Sequence, residues 1–224
     1  MNYVATFTAN DFLLMVQGAG ITFVLTISSG AIGTFLGFLV GWARTVKNPL
    51  LFYALGGYIS VIRSVPLIVQ FVLFNSFMAI AGHPMDPFLS GILTLSIYIS
   101  GYVAEVVKAG IDSVPAPTRM AARGLGMTYL QDFFYIVLPI GTRTVLPSWT
   151  GLMLGLMKDT ALIAVLGATP PELLRASQII INRVQEPLLI LLGAGVFYFV
   201  MCWAIARISG RCEGRWKRQQ EALQ

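Results

Sequence analysis

Long apolar stretches without charge alternate with short polar segments along almost the whole chain. Residues 12–43, between Asp11 and Arg44, hold no charged side chain, and residues 187–206 hold none either. About 20 apolar residues are enough for a helix to cross the hydrocarbon core of a bilayer. The pattern therefore predicts an all-α membrane protein with about five transmembrane helices. The predicted spans lie at roughly residues 12–43, 50–81, 88–110, 133–166 and 187–207.

Three of the predicted spans contain residues that are unusual in a bilayer. Arg63 interrupts the second span, Glu105 lies in the third, and Pro139 and Pro147 lie in the fourth. Proline lacks an amide hydrogen and disrupts a regular helix. We therefore expect the fourth span to kink or to restart at these positions.

The composition excludes the main classes of soluble protein. Of the 224 residues, 56% are hydrophobic and only 11% are charged, and the mean hydropathy is +0.76. A soluble domain carries about 25% charged residues, and a disordered chain is poor in hydrophobic ones. The two cysteines, Cys202 and Cys212, and the single histidine, His83, offer neither a disulfide framework nor metal-site spacing. Five spans with short connections fill the chain, so residues 1–224 are expected to form one transmembrane domain.

The distribution of basic residues predicts the orientation of the chain in the membrane. Cytoplasmic segments of membrane proteins are enriched in Lys and Arg. With the N-terminus outside, the external segments hold only Arg175 and Arg183, so an N-out, C-in orientation is predicted. The formal net charge of +5 is explained in this way, and nucleic acid is not expected as a partner. The ten basic residues of the cytoplasmic segments are then Arg44, Lys47, Lys108, Arg119, Arg123, Arg207, Arg211, Arg215, Lys217 and Arg218.

The first predicted span carries Gly33, Gly37 and Gly41 at four-residue spacing. Such a stripe of small residues lets another helix approach closely. The approaching helix belongs either to this chain or to another subunit, and the sequence leaves both interpretations open.

The loop between the third and fourth spans, residues 113–139, has the features of a short amphipathic helix with an extended entry. Pro115 and Pro117 predict that entry, and Thr118 is a plausible N-cap. Residues 119–130 would then form the helix. It is either a docking surface for a soluble partner or an interfacial helix resting on lipid headgroups, and composition favours neither.

The same segment resembles the EAA loop of bacterial ABC-importer permeases, whose pattern is EAA, three residues, Gly, nine residues and I-x-L-P. Residues 120–122 read Met-Ala-Ala, Gly126 follows at the right distance, and residues 136–139 read Ile-Val-Leu-Pro. Only Met120 departs from this pattern, because it occupies the position where the family has Glu. The resemblance implies a helix that docks an ATPase and that Gly126 ends or bends. The implied coupling residues are Met120, Ala121, Ala122, Arg123, Gly126 and Leu130.

The resemblance extends over nearly the whole chain and narrows to the permeases for polar amino acids. Residues 63–67 with Gln70, residues 101–111, residues 158–162 and residues 172–174 are similar to segments of that group. The resemblance implies the membrane subunit of an ATP-driven importer in the bacterial inner membrane. It also implies three kinds of protein partner: ABC ATPase subunits that bind ATP and magnesium, a second permease copy or homologue, and an external amino-acid-binding protein.

Charged and polar side chains in the predicted spans are candidates for the substrate pathway. A charge at bilayer depth costs about 2.5–3.5 kcal/mol on insertion scales, so it usually has a partner or a water-filled cavity. One interpretation is structural pairing, such as Glu105 with Lys158 or Arg63 with Asp159. The other is a polar cavity whose side chains contact both charges of an amino acid. The excess of positive side chains in the predicted spans would favour an acidic or neutral amino acid as the substrate. The candidates are Arg63, Gln70, Asn75, Glu105, Lys158 and Asp159.

The sequence carries no recognisable catalytic motif. It has no G-x-x-x-x-G-K-[ST] phosphate loop, no H-E-x-x-H and no G-x-S-x-G. ATP hydrolysis is therefore expected on a separate chain, and no cofactor is expected on this one. The alternative function is an ion-coupled secondary transporter of small polar solutes. Such a transporter would show inverted repeats in matched halves, which five spans do not offer.

Overall fold

A computed structural model describes the backbone of residues 6–46 and 48–221, and the side chains in these ranges as far as Gly214. Within these ranges the chain is helical and forms no strand. The α-helices are α1 (Ala9–Ala43), α2 (Pro49–Ser64), α3 (Leu67–Ile80), α4 (Pro87–Asp112), α5 (Ala116–Gly124), α6 (Tyr129–Asp132), α7 (Leu138–Asp159), α8 (Leu173–Val184) and α9 (Pro187–Glu221). A π-helical turn, Phe133–Val137, joins α6 to α7, and a 3-10 segment, Thr160–Leu166, follows α7.

Four helical stretches in the described part of the chain are long and apolar enough to cross a membrane, or five if a bent helix pair counts as one span, which confirms the predicted fold class. Four are continuous helical stretches, namely α1, α4, Tyr129–Leu166 and Pro187–Gly214. The fifth is the bent pair formed by α2 and α3. Most of the predicted limits lie close to the observed ones, because charged residues bound the apolar windows.

The second span is not the continuous helix predicted over residues 50–81. α2 and α3 are bent by 107° at their junction, and Pro66 precedes α3 with φ −55° and ψ 136°. Proline has no amide hydrogen, and it forces the residue before it out of the helical conformation. The carbonyl oxygen of Val65 at this bend accepts a hydrogen bond from Gln70 Nε2 at 2.8 Å.

The fourth span does not restart at its prolines, because its helix is continuous over Tyr129–Leu166. The π turn Phe133–Val137 lies immediately before α7, whose second residue is Pro139. A π turn shifts the hydrogen-bond register of a helix by one residue. The helix therefore passes Pro139 without ending, and it also continues through Pro147 inside α7.

The chain divides into two compact units, each built from three separate stretches. Unit 1 comprises Met1–Ile32, Val65–Ser96 and Met153–Ala204. Unit 2 comprises Gly33–Ser64, Ile97–Leu152 and Ile205–Gln224. Each unit has a buried apolar cluster of its own.

In unit 1 the amphipathic helix α8 packs against α1 and is capped by a buried carboxylate. A Cβ built on Gly18 would lie 2.9 Å from the Leu173 Cα, so this approach needs glycine. Glu172, 2% exposed, accepts hydrogen bonds from two backbone amides in the first turn of α8, each at 2.7 Å. The Tyr198 hydroxyl donates a third at 3.2 Å. Burial raises the pKa of the Glu172 carboxyl, although the two amide hydrogen bonds favour its charged form.

The other end of α8 is tied to the beginning of α1. Arg183 forms an ion pair with the buried carboxylate of Asp11. The same carboxylate accepts hydrogen bonds from the amide and the hydroxyl of Thr8 at 2.7 and 2.8 Å. The helix α8 is therefore held at both ends within unit 1.

In unit 2 the π turn contributes an aromatic ring to the buried core. The Phe133 ring lies 6.3 Å from the Phe38 ring and 6.1 Å from the Trp42 ring, measured between centroids. Ile111 of α4 and Val137 of the π turn belong to the same cluster. The cluster holds α1, α4 and the beginning of the fourth span together.

The glycine stripe of α1 packs within this chain. A Cβ built on Gly37 would lie 2.6 Å from Val103 Cβ, and one on Gly41 would lie 2.5 Å from the carbonyl oxygen of Ala104. Both distances are too short for a side chain, so α4 reaches this position only because glycine occupies it. The structure therefore confirms the intrachain interpretation for Gly37 and Gly41.

Candidate functional site

A polar cavity of about 560 Å³ lies in unit 2 among α2, α4 and the residue that follows α1. Arg44, Arg63, Tyr102 and Glu105 are among its lining residues. Two of the predicted pathway residues, Arg63 and Glu105, are therefore brought to one cavity.

Glycines in α2 and α4 set the helices around the cavity and leave room within it. A Cβ built on Gly101 would lie 2.9 Å from Ile62 Cγ2, so α4 packs closely on α2 at this level. A Cβ on Gly56 would lie 3.7 Å from Arg44 Nη2, which is an ordinary contact distance. A Cβ on Gly57 would meet nothing within 4 Å. The wall formed by α2 thus leaves space in front of Arg44.

Glu105 forms an ion pair with Arg44, with 2.5 Å between Oε1 and Nη1. The Arg44 side chain is 12% exposed and its guanidinium lies 5.0 Å from the centre of the Phe52 ring, whereas Glu105 is 40% exposed. The Arg44 Nε is buried and has no hydrogen-bond partner among the residues that the structure describes. The partner of Glu105 within unit 2 is thus Arg44, whereas the sequence suggested Lys158, which lies in unit 1. Arg44 takes that place because the close packing of α1 on α4 brings it beside Glu105.

Arg63 lies over the ring of Tyr102, with 5.1 Å from Cζ to the ring centroid. Tyr102 and Glu105 are three residues apart on α4, so they share one face of that helix. Within unit 2 Arg63 has no carboxylate partner among the described residues, and Asp159, the partner suggested from the sequence, lies in unit 1. Its guanidinium is exposed and keeps hydrogen-bond donors available.

The other four predicted pathway residues lie in unit 1. Gln70 donates to the carbonyl at the bend before α3, and Asn75 is half-buried in α3. Lys158 is exposed and Asp159 is half-buried at the end of α7, where the 3-10 segment begins. The six candidates therefore form two groups, with two residues in unit 2 and four in unit 1.

The loop helix α5 begins and ends earlier than the predicted helix over residues 119–130. Pro115 is its N-cap, and Pro117 lies in the first turn. The amides of a first turn have no partner inside the helix, so proline is tolerated there. Thr118 is consequently inside the helix and is not the N-cap.

Gly126 stops the helix as expected. Its φ of +86° is in the left-handed region, which suits glycine. Thr128 and Gln131 then form a capping box that starts α6, so Leu130 belongs to α6 and not to the loop helix.

An ion-pair cluster absent from the sequence-based prediction ties α5 to the beginning of the fourth span. Asp132 is fully buried, and its Oδ2 accepts two hydrogen bonds from Arg119, both at 3.1 Å. Arg123 Nε lies 3.9 Å from the same oxygen. The other oxygen, Oδ1, is buried without a partner in the described part of the chain. The sequence feature that could have indicated this cluster is Asp132 itself, a single acidic residue immediately before an apolar span.

The outer surface of this loop is largely apolar. Met120, Ala121, Leu125 and Leu130 are exposed, and we call these four residues the loop face. Arg123 is exposed beside them and lies over the Tyr129 ring at 5.6 Å. Ala122, another predicted coupling residue, is buried and packs inward.

Comparison with known proteins gives a family match over most of the chain. Residues 33–217 match the family described as binding-protein-dependent transport system inner membrane component. The chain is 31% identical over 206 residues to the glutamine transport system permease protein GlnP of Escherichia coli (strain K12), which covers 91% of this chain and 93% of that one. It is 32% identical over 199 residues to the L-cystine transport system permease protein TcyB of Bacillus subtilis (strain 168), covering 88% and 84% respectively.

Solved structures have the same fold. An amino acid ABC transporter, crystallised with histidines, matches with a TM-score of 0.83 and 27% identity over 94% of this chain and 99% of that one. The inward-facing MetNI methionine ABC transporter matches with a TM-score of 0.80 over 93% of this chain and 99% of that one. Its identity is 19%, so it supports the fold alone.

The Arg119–Asp132 pair should be asymmetric in its contribution to stability. Arg119→Met leaves a buried carboxylate with only the more distant Arg123, and loss of one partner of a buried pair costs about 3–5 kcal/mol. Asp132→Asn leaves an arginine that is 28% exposed and reaches water, so we expect a loss of about 1–3 kcal/mol. The double variant should be more stable than Arg119→Met alone. Unfolding midpoints of the purified protein in detergent measure this, and equal losses for the two single variants would contradict it.

Proposed function

The chain belongs to the family of binding-protein-dependent transport system inner membrane components, and we propose on this premise that it is the permease subunit of an ATP-driven importer of polar amino acids. As a member it is a multi-pass protein of the inner membrane. The observation that carries the substrate class is the similarity to the glutamine permease of Escherichia coli, which covers 91% of this chain.

The charges in the cavity of unit 2 support an acidic or neutral amino acid as the substrate. Arg44 and Arg63 contribute two positive charges and Glu105 one negative charge, so this lining set has a net charge of +1. A basic amino acid would bring a further positive charge into this site. A neutral or acidic one presents a carboxylate that the excess positive charge attracts.

The loop face supports an ATPase as the soluble partner. Its exposed apolar side chains surround Arg123, and an apolar surface with an arginine is typical of protein interfaces. The ion pair between Arg119 and Asp132 anchors this surface to the beginning of the fourth span. In this proposal two ATPase subunits bind the loop faces of two permease copies or homologues, hydrolyse ATP with magnesium, and an external binding protein delivers the amino acid.

The basic residues support an N-out orientation in the membrane. Arg119, Arg123, Arg207 and Arg211, which this orientation places in the cytoplasm, all belong to unit 2, whereas the two external arginines, Arg175 and Arg183, belong to unit 1. Lys47 and the side chains of Arg215, Lys217 and Arg218, which belong to the same argument, lie outside the described residues.

The transport function is tested by reconstitution. The chain, expressed with its neighbouring genes, should purify in a complex with an ATPase. Liposomes that contain this complex should import labelled L-glutamine or L-glutamate only with ATP on the ATPase side and the binding protein on the other. Ionophores that collapse ion gradients should leave this uptake unchanged. Uptake that follows an ion gradient without ATP would contradict the proposal and favour a secondary transporter.

Docking at the loop face is tested by a matched pair of glycine substitutions. Gly126→Ala forces a side chain into a left-handed conformation, which costs about 1–2 kcal/mol and displaces the loop face. Gly124→Ala is the control, because its φ is not positive and a Cβ there meets nothing within 4 Å. ATPase activity stimulated by the binding protein should fall about fivefold or more in Gly126→Ala and remain normal in Gly124→Ala. Equal activity in the two variants would argue against this docking surface.

The orientation is tested by the reactivity of single cysteines in intact cells. After replacement of Cys202 and Cys212, His83→Cys should react with an impermeant thiol reagent from outside, and Leu125→Cys should react only after the cells are opened. Both positions are exposed, so accessibility differs only by the side of the membrane. The reverse labelling pattern would rule out the N-out orientation.

A further inference from the structure

The cavity of unit 2 combines opposite charges that are not fully used by the protein. The Arg63 guanidinium lies over the Tyr102 ring, and Arg63 has no carboxylate partner in the described ranges. Glu105 accepts from Arg44 through Oε1, and its side chain is 40% exposed. A carboxylate has about four lone-pair sites, so Glu105 accepts a further donor without releasing Arg44. One cavity thus offers an available donor group and an available acceptor group.

We propose that this cavity binds the α-carboxylate and α-ammonium groups of the transported amino acid, with Arg63 as the ligand of the carboxylate and Glu105 as the ligand of the ammonium. This inference rests on the proposed function and deepens it, because it assigns the two charges of the substrate to two named residues. Arg44 is a positioning residue in this site. It is held against Phe52, mostly buried, and fixes one oxygen of Glu105.

A ligand with both charges fits this lining better than a simple ion does. A simple anion would be attracted by the arginines but repelled by Glu105. A simple cation would be attracted by Glu105 but repelled by the arginines. An amino acid backbone presents a carboxylate and an ammonium together, so each lining charge gains a partner of opposite sign.

The wall formed by α2 leaves room for a side chain of the ligand. Gly56 and Gly57 are adjacent in the lining, and Ser60 follows one turn later. A Cβ on Gly56 would be in ordinary contact with Arg44 Nη2, so a larger residue there extends into the cavity without a backbone clash. The stretch of α2 from Gly56 to Ser60 thus leaves room for a ligand side chain, and Phe52 and Tyr53 line the cavity one turn before it.

The experiment measures binding directly on the assembled transporter without the binding protein. The probes are labelled L-glutamine and L-glutamate, their α-amides, which lack the carboxylate charge, and their N-acetyl forms, which lack the ammonium charge. Arg63→Gln should weaken binding of the amino acids about tenfold or more and leave binding of the amides unchanged. Glu105→Gln should weaken binding of the amino acids and leave binding of the N-acetyl forms unchanged. Arg63→Lys should fall between wild type and Arg63→Gln.

Three further variants separate a ligand site from a structural role. Arg207→Gln removes an exposed guanidinium of unit 2 outside the cavity and should bind all probes as wild type does. Gly56→Val should fill part of the cavity and weaken binding of the amino acids and of both kinds of analogue. Arg44→Gln should weaken binding of the amino acids and the amides more than binding of the N-acetyl forms, because only the first two carry the ammonium that Glu105 binds. Unfolding midpoints of every variant are measured in parallel, so a loss of folding is distinguished from a loss of binding.

The outcomes separate the inference from the proposed function. ATP-dependent uptake by the wild type, with binding unaffected by Arg63→Gln and Glu105→Gln, would overturn the inference and leave the function standing. Probe-specific losses in these variants without ATP-dependent uptake would support the site and overturn the function. Loss of a copurified phospholipid in Arg63→Gln, with no competition by either amino acid, would overturn the inference in favour of a lipid headgroup.

Discussion

Polar groups in apolar surroundings need partners within the protein, and this requirement shapes the irregular parts of the fold. At the bend before α3 the proline interrupts the helix, and Gln70 hydrogen-bonds the Val65 carbonyl oxygen at that point. At the entry to the fourth span the π turn lets the helix continue past Pro139. At the beginning of α8 the carboxylate of Glu172 accepts from two amides that have no partner inside the helix. Each departure from a straight helix is thus accompanied by a compensating hydrogen bond or turn.

The same requirement distinguishes the charged residues that stabilise the fold from those whose hydrogen-bonding groups remain available to a ligand. Asp132 is fully buried, and the hydrogen bonds from Arg119 are needed to keep its charge there. Arg44 is nearly buried, and its Nη1 is paired with Glu105. Arg63 is exposed, and its guanidinium lies over the Tyr102 ring without a carboxylate partner in the described part of the chain. The contrast is chemical: a buried charge without a partner destabilises the fold, whereas an exposed charge at a cavity costs little and remains available to a ligand.

The spans were predictable from the sequence because each depends on its own composition. Apolar windows and their charged borders are local features, and α1 and α4 follow the predicted limits closely, whereas α9 continues past the predicted end at residue 207 to Glu221. The loop helix was only partly predictable. Its position followed from the resemblance and Gly126 ended it, but the two prolines were read as an extended entry, whereas Pro117 lies in the first turn.

The pairing of charges was not predictable, because it depends on which helices touch. Glu105 and Arg44 are 61 residues apart, and the sequence offered several basic residues as partners. The feature that selects Arg44 is the close approach of α1 to α4 at Gly37 and Gly41, and the glycine stripe did not identify its partner helix. Asp132 was missed for a similar reason, since nothing local indicates that Arg119 folds back onto it.

Helix α4 connects the two parts of unit 2 that carry the proposed function. Glu105 lies two turns before the end of α4 at Asp112, and α5 begins four residues after that end. The loop helix is also joined to the beginning of the fourth span through Arg119 and Asp132. In the proposed complex, an ATPase that moved the loop face would therefore act on two helices at once. One of these helices is α4, which carries Glu105 and Tyr102 in the cavity. Because α4 packs closely on its neighbours at Gly41 and Gly101, it has little room to move independently of them. Displacement of the loop face is for this reason expected to change the cavity as well as the position of the spans.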